Sequence, residues 1–481
     1  MKKRVGKFAA VVLAAYCLCM ILLSWIAGDQ FRYRNEVSAS LSPAAVVGDM
    51  TAGFTLSQQF RVTNDQIDSI ALRFADYGRQ NTGSLVLSLQ DELGQTVSED
   101  TIDISKVQDS QFFTVKLDRP VQGNSNYTLT LSSVDGMPDN FVSVYYGNSI
   151  QTGRASVAQT IAPDERLLVN GVPVNGMLCM EIGTTSYLRY MDYYWPAVGI
   201  MGILLLLYFL TLYRKAALEK PSFVTNAITA LAKYRFLIKQ LVARDFKTKY
   251  KRSVLGVFWS FLNPLLTMLV QYVVFSTLFK SDIPNFPAYL LTGIVMFNFF
   301  NESTSLGLTA ITGNASLITK VYVPKIVYPL TRVLSSMVNF LLSLLPLFVV
   351  LLCTGEQLTK AVLLLPFIIV CLLTFCIGVS LLLSTLMVFF RDMQFLWSVL
   401  TMIWMYATPI FYPETIIPQR FMMLYKMNPL YHIIRFTRIT LIDGVSPEPK
   451  AYLLCMIMAL IPFLIGLFIF RKQQNKFALN L

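Results

Sequence analysis

The chain has 481 residues, of which 54% are hydrophobic and only 14% are charged. Soluble globular domains carry about 25% charged residues, so this composition excludes a soluble enzyme and indicates a polytopic membrane protein. The formal net charge is +12. Most of the excess basic residues lie in short loops beside apolar runs, where they orient membrane topology. This explains the charge better than nucleic acid binding does, and we expect no nucleic acid partner.

A basic start, MKKR, precedes an apolar run from Phe8 to Ala27 that is long enough to cross a membrane. The run could also be a cleaved signal peptide. It is long for that role, however, and Trp25-Ile26-Ala27 is a poor cleavage site. We therefore predict an uncleaved transmembrane anchor at residues 1–28.

In residues 29–190 acidic residues outnumber basic ones, which sets this region apart from the basic remainder. Apolar residues here alternate with polar ones, as in Leu85, Leu87 and Leu89, and turn pairs such as Asn170-Gly171 separate the segments. This pattern predicts an extracellular, antiparallel all-β sandwich. The stretch IALRFADYGRQNTGSLVLSL is similar to jelly-roll, carbohydrate-binding modules, and a spacer or partner-docking domain is an equal alternative.

A second transmembrane helix is predicted at residues 191–215, followed by a cytoplasmic amphipathic region at 216–254. A membrane core follows at 255–481. Its apolar stretches lie at about 255–280, 287–312, 327–353, 361–389, 394–412 and 450–470. The loop lysines and arginines all fall on the cytoplasmic side if the first of these stretches enters from there. We therefore expect eight transmembrane helices, both termini in the cytoplasm, and residues 29–190 outside.

The loop at residues 413–447 is basic although the topology places it outside, and it is also partly apolar with two prolines as breakers. We predict two short re-entrant helices that act as an external gate, tolerated because protein covers their backbone. Their basic side chains could hold lipid phosphates or an anionic polymer. The residues predicted for this role are Arg420, Arg435 and Arg438.

The segment from Arg244 to Leu265 begins as a basic amphipathic stretch and becomes an aromatic-rich apolar run. This order predicts an interfacial helix that feeds a membrane span. Its charges could bind anionic lipid, or they could receive a pyrophosphate-linked lipid substrate at the cytoplasmic entrance. The residues concerned are Arg244, Lys247, Lys249, Lys251 and Arg252.

Polar residues inside two predicted spans form stripes at helical spacing, although burying them in hydrocarbon is costly. The first stripe follows Trp259 and comprises Asn263, Thr267 and Gln271; the second comprises Asn298, Asn301, Glu302 and Ser305. The stripes fit either a hydrated substrate path or hydrogen bonds between helices. A proton-coupling role for Glu302 is disfavoured, because the sequence offers it no obvious basic partner inside the membrane.

A third candidate face lies in the fifth span of the core, where aromatic residues and threonines are spaced alternately by four and three. Aromatic rings can stack on the C–H faces of pyranose rings while hydroxyls bond the ring edges. An aromatic packing seam explains the same spacing. The residues are Trp397, Thr401, Trp404, Thr408 and Phe411.

Roughly the last 270 residues resemble the permease subunit of an ABC-2 type exporter, of the branch that moves O-antigen, teichoic acid or capsular polysaccharide. Five segments carry the resemblance. They are the stretch from Arg244 to Trp259, the loop NASLITKVYVPKIVYP from Asn314 to Pro329, Phe390-Arg391-Asp392, ATPIFYP from Ala407 to Pro413, and Asn428-Pro429. Members of this family commonly have six spans and no large external domain, so the N-terminal anchor and sandwich are additions.

The resemblance implies a permease of the cytoplasmic membrane that exports a lipid-linked cell-surface glycan or teichoic-acid-like polymer. It also implies a homodimer that binds two copies of an ABC ATPase. No G-x-x-x-x-G-K-[ST] loop occurs in the sequence, so ATP and Mg²⁺ are expected only in that partner and no enzymatic activity is expected here. With one histidine, no metal site is predicted. The resemblance assigns ATPase coupling to Asn314, Leu317, Lys320, Tyr322, Pro324 and Lys325. A small-molecule or drug exporter and a non-transport glycan-binding receptor remain alternatives.

Overall fold

The computed structural model describes the whole chain except residues 1, 39, 148–166, 219–222, 252, 280–282, 284, 321–322 and 481. Two of the predicted site residues, Arg252 and Tyr322, lie outside the described residues. The chain divides into two compact units. One unit is Asp29–Tyr193, and the other combines Met1–Gly28 with Tyr194–Leu481.

The Asp29–Tyr193 unit contains two antiparallel sheets. Its described strands are β1 Tyr33–Val37, β2 Ala45–Val46, β3 Thr55–Val62, β4 Gln66–Ala75, β5 Ser84–Gln90, β6 Thr96–Asp103, β7 Phe112–Gln122, β8 Ser125–Ser133, β9 Ser143–Gly147, β10 Leu167–Val169, β11 Val172–Val174, β12 Met177–Leu178 and β13 Met180–Tyr187. One sheet has the order β1-β13-β4-β9-β12, with β2 paired to β9 and β7 to β4. The other has the order β11-β10-β3-β8-β5-β6. From β3 to β9 the chain passes repeatedly between the two sheets, as in jelly-roll folds.

The predicted period-two alternation decides which side chains fill the space between these sheets. Leu87 of β5 lies opposite Leu131 of β8, and both are fully buried. Phe74 of β4, in the other sheet, belongs to the same hydrophobic cluster. Asn170 and Gly171 both have positive φ in the turn between β10 and β11, as a tight hairpin requires. The sandwich expected from the alternation is therefore confirmed.

The second unit is all helical. Its helices are α1 Lys2–Arg32, which runs on into the sandwich unit, α2 Tyr194–Ala217, α3 Phe223–Tyr250, α4 Trp259–Phe279, α5 Phe286–Leu308, α6 Ala315–Lys320, α7 Val327–Cys353, α8 Leu365–Phe389, α9 Met393–Tyr406, α10 Gln419–Lys426, α11 Pro429–Leu441, α12 Pro449–Gln473 and α13 Phe477–Asn480. Six helical segments among the described residues are long and apolar enough to cross a membrane, and they contain α1, α2, α4, α7, α8 and α12. The chain is therefore a multi-pass membrane protein.

The two remaining predicted spans correspond to α5 and α9. Neither helix is both long enough and apolar enough to be counted among these six. Helix α5 has 23 residues, but the polar side chains of its second half lower its hydropathy. Helix α9 has only 14 residues and ends at Tyr406, because the chain turns at Ala407-Thr408-Pro409. Both helices still pack into the helical core, where α5 contributes many fully buried residues. The prediction of eight crossings stays a prediction.

Small residues allow a close helix contact in this unit, between α8 and α12. A Cβ added to Gly466 would lie 2.0 Å from the carbonyl oxygen of Gly378. A Cβ on Gly378 would lie 2.4 Å from the Cα of Phe463. Glycines let membrane helices approach until their backbones touch. The close contact gains dispersion energy, which matters because lipid provides no hydrophobic driving force between helices.

Helices α1 and α2 pack against each other. Tyr16 donates a hydrogen bond to the carbonyl of Val198 at 2.8 Å, and Tyr194 donates one to the carbonyl of Met20 at 2.8 Å. Val5 of α1 is fully buried in a small cluster with side chains of α2. These contacts make the N-terminal anchor part of the helical unit.

Candidate functional site

A polar cavity of about 570 Å³ lies where the end of α3 meets α4, α5 and α7. Eight of the predicted site residues line it: Lys249, Trp259, Asn263, Thr267, Asn298, Asn301, Glu302 and Ser305. The two polar stripes and the interfacial helix, predicted separately, therefore meet at one place. Five further lining residues were not predicted as site residues: Tyr250, Ser260, Pro264, Asn339 and Ser343.

An ion pair crosses this cavity. The ammonium of Lys249 lies 2.7 Å from Glu302 Oε1, and the amide of Asn339 donates to the same oxygen at 2.7 Å. The Glu302 side chain is 29% exposed, so its charge is partly desolvated and compensated by these two donors. The basic partner of Glu302 is Lys249 of α3, a helix outside the predicted spans, so the residues within the spans gave no sign of this ion pair.

A second set of hydrogen bonds joins α3, α4 and α7. The Tyr250 hydroxyl bonds the Ser260 hydroxyl and donates to Asn339 Oδ1 at 3.0 Å. Ser343 Oγ donates to the carbonyl of Ser260 at 3.3 Å. Asn339 therefore connects Tyr250 to Glu302, because its Oδ1 accepts from Tyr250 and its Nδ2 donates to Glu302. The spacing of four between Asn339 and Ser343 on α7 is the sequence signal that could have revealed this face.

Gln271, the last member of the first stripe, lies outside this cavity. Its Oε1 is buried without a hydrogen-bond partner among the described residues. Further along α4, and at the start of α5, a second cavity of about 540 Å³ is lined by Tyr272, Ser276 and Asn285, among others. Polar cavities thus flank both ends of the α4–α5 pair.

Some of the basic side chains predicted to bind lipid headgroups form ion pairs within the protein. Arg244 lies 3.1 Å from Asp245, and Asp245 also pairs with Arg332 of α7 at 2.8 Å. The Asp245–Arg332 pair holds α3 against α7. Lys247 and Lys251 are exposed and stay available to anionic groups.

The predicted coupling residues lie in and beside α6. Asn314 is buried and donates to the carbonyl of Ala310 at 2.8 Å, so it fixes the turn before this short helix. Leu317 and Lys320 are exposed on α6, and Pro324 is half-buried. Lys325 donates to the carbonyl of Gln474 at 2.6 Å. The exposed surface of this segment is therefore α6 itself.

The aromatic face of α9 packs inside the helical unit and does not line the first cavity. The indole of Trp404 lies 5.1 Å from the ring of Phe300 and 6.3 Å from that of Trp397. Trp404 Nε1 donates to Asn428 at 2.8 Å, and Asn428 donates to Thr408 at 2.8 Å.

The remaining members of this face are also in contact within the protein. The Thr401 hydroxyl donates to the carbonyl of Trp397 at 2.9 Å. The ring of Phe411 stacks on Phe275 of α4 at 5.1 Å. This geometry fits the packing seam, which was the alternative to a sugar-binding face.

The external arginines occupy different environments. Arg438 is 7% exposed, and its guanidinium donates to the carbonyls of Pro409, Ile410 and Tyr289. This burial contradicts the expectation that Arg438 binds a lipid phosphate, because its donors close the backbone turn after α9. Arg435 lies 3.7 Å from Glu414, whereas Arg420 is exposed over the ring of Phe421. Only Arg420 and Arg435 keep exposed surface for the predicted role.

Comparison with known proteins assigns this arrangement to a class of membrane transport subunits. A model of the ABC-2 type transporter family matches residues 236–442, which include α4, α5, α7, α8 and the cavity. The chain therefore belongs to the ABC-2 type transporter family.

Several relatives match over nearly their full length. An O-antigen export system permease protein of Myxococcus xanthus is 32% identical over 255 residues, covering 52% of this chain and 97% of that protein. One from Klebsiella pneumoniae is 32% identical over 243 residues, covering 50% and 93%. The polysialic acid transport protein of Escherichia coli is 22% identical, covering 50% and 93%. A solved structure of the Escherichia coli flagellar cap protein covers 50% of this chain at 14% identity with a TM-score of 0.12, too low to carry an argument.

Proposed function

We propose that this chain is the transmembrane subunit of an ATP-driven exporter that translocates a lipid-linked cell-surface polysaccharide or a teichoic-acid-like polymer. The observation that carries the proposal is the polar cavity between α3, α4, α5 and α7, within the segment that matches the ABC-2 type transporter family. The names of those relatives, O-antigen export and polysialic acid transport, support a glycan as cargo.

The chemistry of the cavity suits a polymer rich in hydroxyls. Its asparagine amides and serine and threonine hydroxyls can both donate and accept hydrogen bonds, so they can exchange partners as successive sugars pass. Lys249 lines the cavity, and the exposed Lys247 and Lys251 lie beside it along the chain. These charges are placed to attract the diphosphate of a lipid carrier at the cytoplasmic entrance.

Energy would come from a separate ABC ATPase, two copies of which hold ATP and Mg²⁺ and bind a homodimer of this chain. The exposed helix α6 and the basic end of α3 are the surfaces proposed for that contact. Helix α3 is joined to α5 through Lys249 and Glu302, and to α7 through Asp245 and Arg332. A rigid-body shift of α3 driven by the partner would therefore move two walls of the cavity together.

Two other functions remain as alternatives. A small-molecule or drug exporter would use the same helices, but a cavity lined mainly by amides and hydroxyls favours a polar cargo. A non-transport receptor would use the sandwich to bind glycan and the helices as an anchor. We propose that the sandwich binds carbohydrate within an exporter and presents the emerging polymer outside the membrane.

Deletion of the gene in the source organism tests the proposal. We expect loss of one surface polymer and accumulation of its lipid-linked form inside the cell, both reversed fully by the wild-type gene and only in small part by a Glu302→Gln variant. Unchanged surface polymers together with increased sensitivity to drugs would instead favour the small-molecule exporter. A deletion strain that displays its surface polymers normally but no longer adheres to glycans would favour the receptor.

A further inference from the structure

One end of the sandwich presents an exposed tyrosine beside a charged pair. Tyr77 follows β4 and is 42% exposed, and its ring meets that of Phe141 edge-on at 5.6 Å. The guanidinium of Arg79 lies 5.7 Å from the ring of Tyr77 and 5.4 Å from that of Phe141. Arg79 Nη1 is 3.7 Å from Asp139 Oδ1, and the Asp139 side chain is 96% exposed.

The two loops that carry these residues are fastened to each other. Asn140 accepts from the backbone N–H of Thr82 at 2.7 Å and donates to the carbonyl of Thr82 at 2.9 Å. Asp135 accepts from the N–H of Ser84 at 2.7 Å. The spatial relation of Tyr77, Arg79 and Asp139 is therefore set before any ligand arrives, which lowers the entropic cost of binding.

Two further features describe the loops at this end of the sandwich. Tyr77 and Asp139 both adopt left-handed backbone conformations, with φ of 59° and 68°, which cost energy for residues other than glycine. Asn81, in the same loop as Tyr77, is 4% exposed, and its Oδ1 has no hydrogen-bond partner among the described residues. Buried polar atoms are nearly always paired, so we expect an ordered water at this acceptor beneath the loop.

We propose that Tyr77, Arg79 and Asp139 form a binding site for one neutral pyranose unit of a glycan. The exposed surface of the Tyr77 ring would stack on the C–H face of the sugar. The guanidinium of Arg79, held by the two rings, would donate to a sugar hydroxyl, and the carboxylate of Asp139 would accept from the neighbouring hydroxyl. This site rests on the proposed function, since it gives the carbohydrate-binding role of the sandwich its residues.

The test uses the full-length protein in lipid nanodiscs and a printed array of neutral pyranose oligosaccharides. We expect at least one array member to bind, and Tyr77→Ala to weaken its binding on the order of tenfold. Tyr77→Phe should bind like the wild type, because the ring face is kept. Asp139→Asn, at a side chain too exposed to affect folding, should weaken binding several-fold. Tyr33→Ala removes another exposed tyrosine of the sandwich and should bind like the wild type.

An array without any bound oligosaccharide would overturn the site, as would wild-type binding by both Tyr77→Ala and Asp139→Asn. Failure of the exporter function gives a different result. In that case oligosaccharide binding would still depend on Tyr77 and Asp139, while the surface polymers of the deletion strain would be unchanged.

Discussion

Lys249 at the end of α3 and Glu302 in the middle of α5 form an ion pair, with 2.7 Å between the ammonium and Oε1. The pair links a helix predicted to lie at the membrane surface to a helix of the core. Surface ion pairs contribute little to stability, about 0 to 1 kcal/mol. We therefore interpret this pair as a mechanical connection rather than a source of folding energy.

Glu302→Gln keeps an acceptor for Asn339 but removes the charge that attracts Lys249. We expect export to fall on the order of tenfold with little change in protein level, because α3 would no longer move α5. Lys249→Met should have the same effect. Lys239→Met, which removes an exposed charge ten residues earlier on the same helix, is the matched control. Export by Glu302→Gln at the wild-type rate would remove the connection from the mechanism.

Replacement of Trp404 separates the two explanations of the aromatic face. Trp404→Ala should destabilise the helical unit by about 3 to 5 kcal/mol, because it leaves a cavity beside Phe300. It also leaves Asn428 without its indole donor. Thermal unfolding in detergent measures this loss. A variant with wild-type unfolding temperature and strongly reduced export would instead support a sugar-binding role for this face.

Arg438 should be a structural residue. Arg438→Met leaves the buried carbonyls of Pro409 and Ile410 without their donor, and we expect a loss of about 3 kcal/mol or more of unfolding free energy. The exposed Arg420 provides the control, since Arg420→Met should unfold like the wild type. Equal unfolding temperatures for the two variants would contradict this assignment.

Burial raises the pKa of the Cys179 thiol from its ordinary value of 9.0 to about 11, with the charge of Arg73 opposing the shift. Since the thiolate is the reactive form, maleimide should label Cys179 at pH 8 only after unfolding. Because the folded pKa is the raised one, the contribution of Cys179 to stability is complete below pH 9 and is lost as the pH rises towards 11. As a control, Val172→Cys places an exposed thiol in the same unit. Mass spectrometry of peptides measures the maleimide labelling of both cysteines. Rapid labelling of Cys179 in the folded protein would refute the buried position.

Much of the architecture follows from local patterns. The strands follow from alternation, as in Leu85, Leu87 and Leu89, because the pleat alone decides which side chains face inward. The long apolar runs similarly define the membrane helices. The stripe pattern likewise placed polar residues on one face of each helix, and all of the predicted members except Gln271 line one cavity.

Contacts between distant segments could not be predicted in this way. Glu302 has its partner 53 positions earlier, on a helix outside the predicted spans. The burial of Arg438 depends on how α11 packs against the end of α9, and a charge in an external loop gives no sign of it. Asn339 was missed because an amide in a membrane helix is explained equally well by packing between helices.

Reconstituted transport tests the central claim most directly. The chain is purified with the ABC ATPase that accompanies it and is placed in proteoliposomes loaded with radiolabelled lipid-linked polymer of the source organism. The account predicts translocation that requires ATP, stops when the ATPase is inactivated, and falls on the order of tenfold with Glu302→Gln. The account would be contradicted if translocation proceeded without any ATPase. It would also be contradicted if an intact complex hydrolysed ATP but moved no polymer.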